Sequence, residues 1–452
     1  MGEKTAAPSP KDIRLVIAAS SLGTVFEWYD FFIWGTLTAS GILQHSFFPP
    51  GDQRLATLLS WATFAIGFAF RPLGAVVFGY LGDRLGRKYT FLVTITLMGV
   101  ATAGIGLMPT FGAIGVAAPL LIVALRIAQG LALGGEYGGA AIYVAEHAPR
   151  GRAGFYTSFI QAGVVGGFIL SLAVVLATKA AVSADAWTGG WWRFPFLFSL
   201  LLLAVSLWMR LKLSESPVFR AMRAAGEGAV NPLKESFTYP GNIRRLLVAL
   251  FGIAAGLTVI WYTALFGVLA FLAGPKSAMR MDETAGQLIV AVGALFGLIF
   301  YFATGAWSDR VGRKKPIVIG YLLTLVLLFP LFHLIGWAAG DGAGAPGFVP
   351  GGGQVAAVLA GILGLMALSG LTYGSVAALL AEMFPPRIRY SSLSIPYHIG
   401  TGYFGGFLPL ISAWAVGRTG NAYAGLWYTE AVVAMALAVT WWGLEEPGRE
   451  EA

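Results

Sequence analysis

Cysteine is absent from the 452 residues, which excludes disulfide bonds, thiolate metal sites and catalysis by a cysteine nucleophile. Charge is also scarce, because Asp, Glu, Lys and Arg make up 12% of the chain, against about 25% in a typical soluble protein. So few charges cannot cover a compact fold with a water-facing surface. Hydrophobic residues make up 57% of the chain, and the mean hydropathy is +0.73. The composition therefore indicates a membrane protein.

Apolar segments of about 20 residues, enough to cross a hydrocarbon core, recur throughout the chain. Each is expected to be helical, because the bilayer offers no water to satisfy exposed peptide groups. Residues 1–13 are polar and the apolar run behind them lacks a small-residue cleavage site, so no cleavable secretory signal is predicted. The twelve predicted transmembrane helices lie at residues 15–45, 54–82, 89–108, 117–146, 153–178, 192–213, 244–272, 284–307, 316–339, 354–383, 391–416 and 422–444.

The formal net charge is +8, and its placement indicates membrane topology instead of a polyanionic partner. If the N-terminus lies in the cytoplasm, most of the 30 Lys and Arg residues fall in segments that face the cytoplasm. This asymmetry follows the positive-inside rule, so both termini are predicted to be cytoplasmic. A nucleic-acid partner is not expected.

Two local patterns occur twice, which indicates an internal duplication. The pattern G-x-x-x-D-R-x-G-R-K occupies Gly79–Lys88 and, half a chain length later, Gly305–Lys314. An acid followed by proline and two arginines occurs at Glu146–Arg152 and at Glu382–Arg389. Among membrane proteins, such duplication is typical of transporters that bind a solute between two halves. The predicted division is a six-helix bundle at 1–213, a cytoplasmic connector at 214–243 and a second six-helix bundle at 244–452.

The doubled ten-residue pattern resembles the signature loop of the major facilitator superfamily. More narrowly, the chain resembles the metabolite:proton symporters, a family of bacterial inner-membrane carriers. The resemblance implies the two-bundle fold, an inner-membrane location and symport with protons. Members of that family carry shikimate, α-ketoglutarate, citrate, or proline and betaines, so the solute stays open. The stretches that carry the narrower resemblance are Glu27–Phe31, Arg71–Gly74, Arg126–Gly130, Gly134–Gly139, Gly154–Tyr156, Trp192–Phe196 and Glu215–Phe219.

Ionisable side chains at membrane depth cost several kcal/mol unless they are paired or hydrated, so each is a functional candidate. Glu27 and Asp30 are three residues apart and share a helix face. Counted at about 1.5 Å per residue, Arg71 reaches a matching depth, so an ion pair with either acid is feasible. Asp30, with Glu27, is the predicted proton carrier, and Arg71 and Glu136 complete the proton-coupling set. A structural ion pair, or for Glu136 a helix cap, is the alternative.

Arg126, Gln129 and Tyr137 share one face of the fourth predicted helix. A guanidinium binds a planar carboxylate through two parallel hydrogen bonds, so this face is the predicted solute clamp. An arginine paired with an acid of another helix is the alternative. In the family that the chain resembles, carboxylate carriers tend to have arginine here, whereas betaine carriers can have lysine. Further predicted solute contacts, each with a packing role as its alternative, are Gln161, Tyr262, Tyr373, Tyr397 and His398.

The repeated patterns place charges at the predicted cytoplasmic helix ends. Ion pairs there can bridge neighbouring helices and break when that side opens. The pattern is not a phosphate-binding loop, because no G-K-[ST] sequence follows it. The predicted gating residues are Asp83, Arg84, Arg87, Glu146, Arg152, Asp309, Arg310, Arg313, Glu382 and Arg389.

The sequence predicts a secondary active transporter and not an enzyme, because it carries no constellation for nucleophilic, metal-dependent or acyl-transfer chemistry. The predicted activity is proton-coupled symport of a small organic anion, a mono-, di- or tricarboxylate, by alternating access. Proton-coupled uptake of a zwitterion such as proline or a betaine is the alternative. Neither a cofactor nor a metal is expected, and the protein is predicted to work as a monomer in the bilayer.

Overall fold

The computed structural model describes residues 10–446, except positions 86, 136, 212–231, 274–278, 280, 341–346 and 387. Nine helical stretches of the described chain are long and apolar enough to cross a membrane. Three further helices, Pro10–Ala39, Arg87–Leu107 and Leu426–Gly443, complete the predicted set of twelve. Most of the predicted connector lies outside the described residues, and its described part contains the helix Pro232–Thr238.

The membrane-crossing helices are numbered as spans in chain order. Span 1 ends at Ala39 instead of continuing to residue 45, because Gly41 takes a left-handed conformation (φ 83°) and starts a separate short helix, Ile42–Phe47. Spans 1 to 6 are Pro10–Ala39, Gln53–Phe78, Arg87–Leu107, Ala117–His147, Ala153–Ala181 and Trp191–Met209. Spans 7 to 12 are Asn242–Leu272, Glu283–Val311, Lys314–Ala338, Gly352–Met383, Arg389–Thr419 and Leu426–Gly443.

The packing of the spans repeats the duplication that the sequence indicates. In the first half, span 1 packs on span 5, span 2 on span 4 and span 3 on span 6. In the second half, the corresponding pairs are spans 7 and 11, spans 8 and 10, and spans 9 and 12. The predicted all-helical fold of two related six-helix bundles is therefore confirmed.

Spans from both halves meet at the centre of the molecule. Span 5 packs along span 8, and span 2 packs along span 11. The first of these contacts is close, since a Cβ on Gly305 would lie 2.6 Å from the carbonyl oxygen of Gly154. Polar side chains on the inner faces of these spans are thereby brought to one interface between the halves.

Three stretches of the second half are wound as π-helix: Val248–Ala254 and Thr263–Gly267 in span 7, and Gly400–Gly406 in span 11. The last two also contact spans of the first half. Such wide turns occur mostly as short insertions in α-helices and often mark functional sites. The two in span 7 flank Trp261 and Tyr262, and the one in span 11 contains Thr401. No sequence pattern predicts these turns, and each one changes the direction of the side chains that follow it.

Candidate functional site

A small cavity lies between the two halves. Trp28 of span 1 and Val164 of span 5 line it from the first half. In this closed arrangement it has room for about one water molecule. Both halves therefore contribute walls to one enclosed site. The lining residues of the second half are Leu257, Thr258, Trp261, Tyr262, Tyr373 and Thr401.

Several buried polar atoms beside this cavity find no hydrogen-bond partner among the described residues. They include Trp261 Nε1, the Tyr262 hydroxyl, and Nε and Nη2 of Arg71. Buried polar atoms in proteins are nearly always paired, and an unpaired one costs about 1–3 kcal/mol. A concentration of such atoms at one cavity indicates a site for a polar ligand. Because these atoms are donors, they fit a ligand that carries acceptors.

Arg71 is fully buried in span 2, where it begins the helical segment Arg71–Leu85, and its side chain faces span 11. Its Nη1 donates to Thr401 Oγ1 at 3.3 Å. The guanidinium carbon lies 4.9 Å from the ring centre of Trp28 and 5.3 Å from that of Phe68. Trp28 and Thr401 both line the cavity, so the positive charge of Arg71 adjoins it.

The two acids of span 1 are buried, as predicted, but the feasible ion pair with Arg71 is not formed within the described part of the chain. Arg71 lies at a depth similar to that of the two acids, but its side chain reaches toward Thr401 of the second half. Asp30 Oδ1 has no hydrogen-bond partner among the residues that the structure describes. Glu27 lies close enough to Asp30 to interact with it electrostatically.

Arg126 is also fully buried, and it ties spans 1, 2 and 4 together. Its Nη1 donates to Gln129 Oε1 at 2.7 Å and to the Phe31 carbonyl at 3.2 Å, and its Nη2 donates to the Phe64 carbonyl at 3.3 Å. The guanidinium lies over the Phe31 ring at 4.1 Å. Within the described residues no acid pairs with Arg126, so the alternative of a permanent ion pair is not found there. Phe31 and Phe64 wrap the group, which does not line the cavity.

The remaining predicted solute contacts gather on the side of the cavity nearer to the signature loops. The rings of Tyr137 and Tyr397, one from each half, stack with centroids 3.7 Å apart and planes at 3°. Gln161 Nε2 donates to the Tyr137 hydroxyl at 2.6 Å, and the hydroxyls of Tyr373 and Tyr397 lie 2.7 Å apart. Both ring nitrogens of His398 lack a partner in the described structure. The stack closes this side of the cavity.

Aromatic rings close the cavity on the opposite side. Phe266 of span 7 packs against Phe32 and Phe168, with centroids 5.3 and 4.9 Å apart. Farther out, Lys179 at the end of span 5 pairs with Glu283 at the start of span 8 at 3.1 Å. The cavity is therefore closed at both ends by contacts between the halves.

A charged cluster, here called the loop-side latch, joins the halves at the second signature loop. The Asp309 carboxylate accepts from the main-chain nitrogens of Gly154 and Phe155, in the first turn of span 5, at 2.7 and 2.9 Å. Arg313 donates to Asp309 at 2.7 Å and to both carboxylate oxygens of Glu382 at 2.7 and 3.0 Å. Burial alone would lower the pKa of Arg313, but its bonds to Glu382 and Asp309 hold that pKa above its ordinary value. The latch therefore stays charged.

The other predicted gating residues are placed less closely together. Arg389 Nη1 lies 3.5 Å from Glu146 Oε1, which joins spans 11 and 4 across the halves. Arg152 and Arg310 are exposed. The side chains of Asp83, Arg84 and Arg87, and all of Glu136, lie outside the described residues.

Comparisons with known proteins agree with this geometry. The sequence model of the sugar (and other) transporter family matches residues 15–246. The inner membrane metabolite transport protein YhjE of Escherichia coli K12 is 36% identical over 426 residues, which cover 93% of this chain and 92% of that protein. The chain belongs to the major facilitator superfamily, as one of its metabolite:proton symporters. It is thus a multi-pass membrane transporter and not an enzyme.

Other relatives of this transporter differ in the solutes that their names give. The shikimate transporter of E. coli K12 is 31% identical and covers 94% of this chain and 91% of its own length. The proline/betaine transporter of the same strain is 32% identical and covers 94% of this chain and 82% of its own. A crystal structure of a D-xylose-proton symporter superposes with a TM-score of 0.70 at 19% identity, over 97% of this chain and 99% of that one, which shows the shared fold.

Sequence reasoning missed three features of the symporter's site. Trp28 lies between Glu27 and Asp30, and the sequence predicts a role for these two acids but none for its ring. Thr401 is a small polar residue in a glycine-rich run, and no local pattern predicts a role for it. The pair of Lys179 and Glu283 joins two spans whose contact no sequence pattern indicated.

We expect Asp309→Asn to loosen the loop-side latch of the symporter. The amide keeps the shape but loses the charge that holds Arg313 and two main-chain amides, and hydrogen bonds to charged groups contribute about 1.5–3 kcal/mol each. Solute turnover should slow with only a modest change in affinity. Because the chain has no cysteine, Ser158→Cys supplies a single thiol, buried on span 5 against Gly305. Maleimide labelling of that thiol should become several-fold faster in the Asp309 variant.

The matched control is Asp52→Asn. The Asp52 carboxylate also caps main-chain amides, those of Arg54 at 2.8 Å and Leu55 at 3.2 Å, but these belong to its own span. This control should leave labelling and turnover unchanged. A large loss of binding with normal turnover at saturation in Asp309→Asn would contradict a gating role.

Proposed function

We propose that the protein is a proton-coupled symporter of a small organic anion, a carboxylate, that works by alternating access. The observation that carries this proposal is the set of buried donors at the cavity, together with two buried arginines, Arg71 and Arg126, for which the described structure offers no acidic partner. A cation at membrane depth without a negative partner is costly. An arriving anion reduces that cost, and its oxygens satisfy the donors.

The proposed proton carrier is Asp30, with Glu27 beside it on span 1. When Asp30 is ionised, its charge competes with the solute for the field of the two buried arginines. When Asp30 is protonated, that field is available to the solute. Proton and anion therefore favour each other's binding, which is the requirement for symport.

The proposed orientation places both termini and the signature loops in the cytoplasm of a bacterium, with the protein in the inner membrane. The excess of Lys and Arg on that side supports it. The proposed units are a first bundle at residues 1–213, a connector at 214–243 and a second bundle at 244–452. One chain supplies both walls of the cavity, so the proposed working unit is a monomer.

A zwitterion such as a betaine is the second candidate, because aromatic walls favour quaternary ammonium groups and a proline/betaine transporter is among the relatives. Trp28, Trp261 and Tyr262 provide such walls. However, the guanidinium of Arg71 already lies over the Trp28 ring. That arrangement leaves a positive charge where a ligand cation would bind, and so it favours the anion.

The test is counterflow and accumulation in proteoliposomes with labelled shikimate, citrate and glycine betaine. We expect at least one carboxylate to show trans-stimulation, which only a carrier produces, and to accumulate when the outside is made acidic. We expect glycine betaine to show neither effect. Accumulation of glycine betaine without any carboxylate would overturn the anion assignment and support the second candidate.

A further inference from the structure

The unpaired atoms of Arg71 form one complete edge of its guanidinium. Nη1 is used by Thr401, whereas Nε and Nη2 are both unpaired among the described residues. These two nitrogens point their N–H bonds in parallel along the same edge. That edge is the fork that binds both oxygens of one carboxylate. The guanidinium of Arg71 also packs against the rings of Trp28 and Phe68, which limits its movement.

On the corresponding edge of the Arg126 guanidinium, one of the two nitrogens already donates a hydrogen bond. Its Nη2 donates to the Phe64 carbonyl and its Nη1 donates twice, which leaves Nε as the one unpaired nitrogen within the described structure. The Phe31 ring covers this guanidinium, which does not line the cavity. These two buried arginines are therefore not equivalent. Of the two, only Arg71 keeps both nitrogens of the fork unpaired among the described residues, and its contacts with Trp28 and Thr401 place it beside the cavity.

We propose that Arg71 is the residue that docks the carboxylate of the solute, side-on, through Nε and Nη2. This inference rests on the proposed function and names the ligand class more closely: a planar carboxylate, as opposed to an amide or a zwitterion's ammonium end. The unpaired Trp261 Nε1 and Tyr262 hydroxyl, both lining the cavity, are placed to bind further oxygens of the same solute. This role differs from the proton-coupling role that the sequence predicts for Arg71.

The position of Arg71 also explains how binding reaches both halves. The residue belongs to span 2 of the first half, whereas Thr401, Trp261 and Tyr262 belong to spans 11 and 7 of the second half. A solute held on the Arg71 fork therefore contacts donors of both halves at once. Such bridging stabilises the closed arrangement in which the halves approach each other.

The test measures the dissociation constant of the purified full-length protein for shikimate and citrate, and for shikimamide, in which a neutral amide replaces the carboxylate. In Arg71→Lys the charge remains but the fork is lost, so we expect carboxylate affinity to fall by between about 10- and 100-fold. Preference for shikimate over its amide should fall with it. The matched control is Arg193→Lys, which makes the same change at a guanidinium that lies over the Trp192 ring and away from the cavity lining. We expect its affinity and preference to stay close to those of the wild type.

The outcomes separate the inference from the function on which it rests. If the wild type binds neither carboxylate, the proposed function fails and the inference with it. If the wild type binds a carboxylate and Arg71→Lys binds it equally well, the inference alone is wrong. A variant that melts at a lower temperature but keeps both affinity and preference shows that Arg71 is structural, which also overturns the proposal.

Discussion

Asp30→Asn should abolish accumulation of the anion under a pH gradient while leaving exchange of solute across the membrane. The substitution imitates the protonated carboxyl group in size and charge, so the solute still finds the arginines unopposed. It cannot release a proton, so the gradient no longer drives transport. One pH unit is worth about 1.4 kcal/mol per proton and sustains roughly a tenfold solute gradient at one proton per solute. In the variant, the concentration of the anion inside the vesicles should not rise above the concentration outside.

The measurement is uptake of the labelled anion into proteoliposomes with an imposed pH gradient, beside counterflow at equal pH. Counterflow is the internal control, because it requires folding, binding and both conformational steps but no net proton movement. Thr36→Val is the matched control. Thr36 is buried on the same span and bonds to Ser171 at 2.7 Å, away from the cavity lining. If Asp30→Asn still concentrates the anion, another group carries the proton.

Local spacing explains one ion pair of the loop-side latch, that of Asp309 with Arg313. Asp309 and Arg313 are four residues apart, so their pairing needs only a helical turn at the end of span 8. The duplication, read from the repeated pattern, correctly predicted that the halves pack alike. These features follow from distances along the chain, which a sequence contains.

The direction of Arg71 and the composition of the cavity depend on distances between chain segments. Depth along span 2 placed Arg71 correctly but did not show whether it reaches span 1 or span 11. The π-helical turn beginning at Gly400 rotates Thr401 relative to a regular helix, so counting residues along span 11 does not predict its direction. Tyr262 and Tyr373 were predicted as solute contacts and do line the cavity, because polar-tipped aromatic residues are conspicuous in an apolar span.

Arg126 contributes a positive charge near the site and hydrogen bonds that join spans 1, 2 and 4. Two substitutions of Arg126 should distinguish these two contributions. The structure places Phe31 and Phe68, in contact at 4.4 Å, between the two guanidinium groups. We take the Arg126 charge to lie about 10 Å from an anion bound at Arg71. At an effective dielectric constant of about 20 and a distance of about 10 Å, a unit charge stabilises a bound anion by about 1.7 kcal/mol. We therefore expect Arg126→Ala to weaken carboxylate binding by roughly 10- to 20-fold. Arg126→Lys should keep most of the affinity.

Both variants should melt at lower temperature, because neither side chain can serve Gln129 and the carbonyls of Phe31 and Phe64 together. Arg193→Lys is the matched control. Its guanidinium also donates to two carbonyls, those of Gly106 and Met108, and lies over a tryptophan ring, but far from the cavity. It should lower the melting temperature without changing affinity. Equal loss of affinity in Arg126→Lys and Arg126→Ala would mean that the planar group of Arg126 contacts the solute itself. Unchanged affinity in a folded Arg126→Ala protein would show that its charge has no part in binding, and Arg71 alone would then hold the anion.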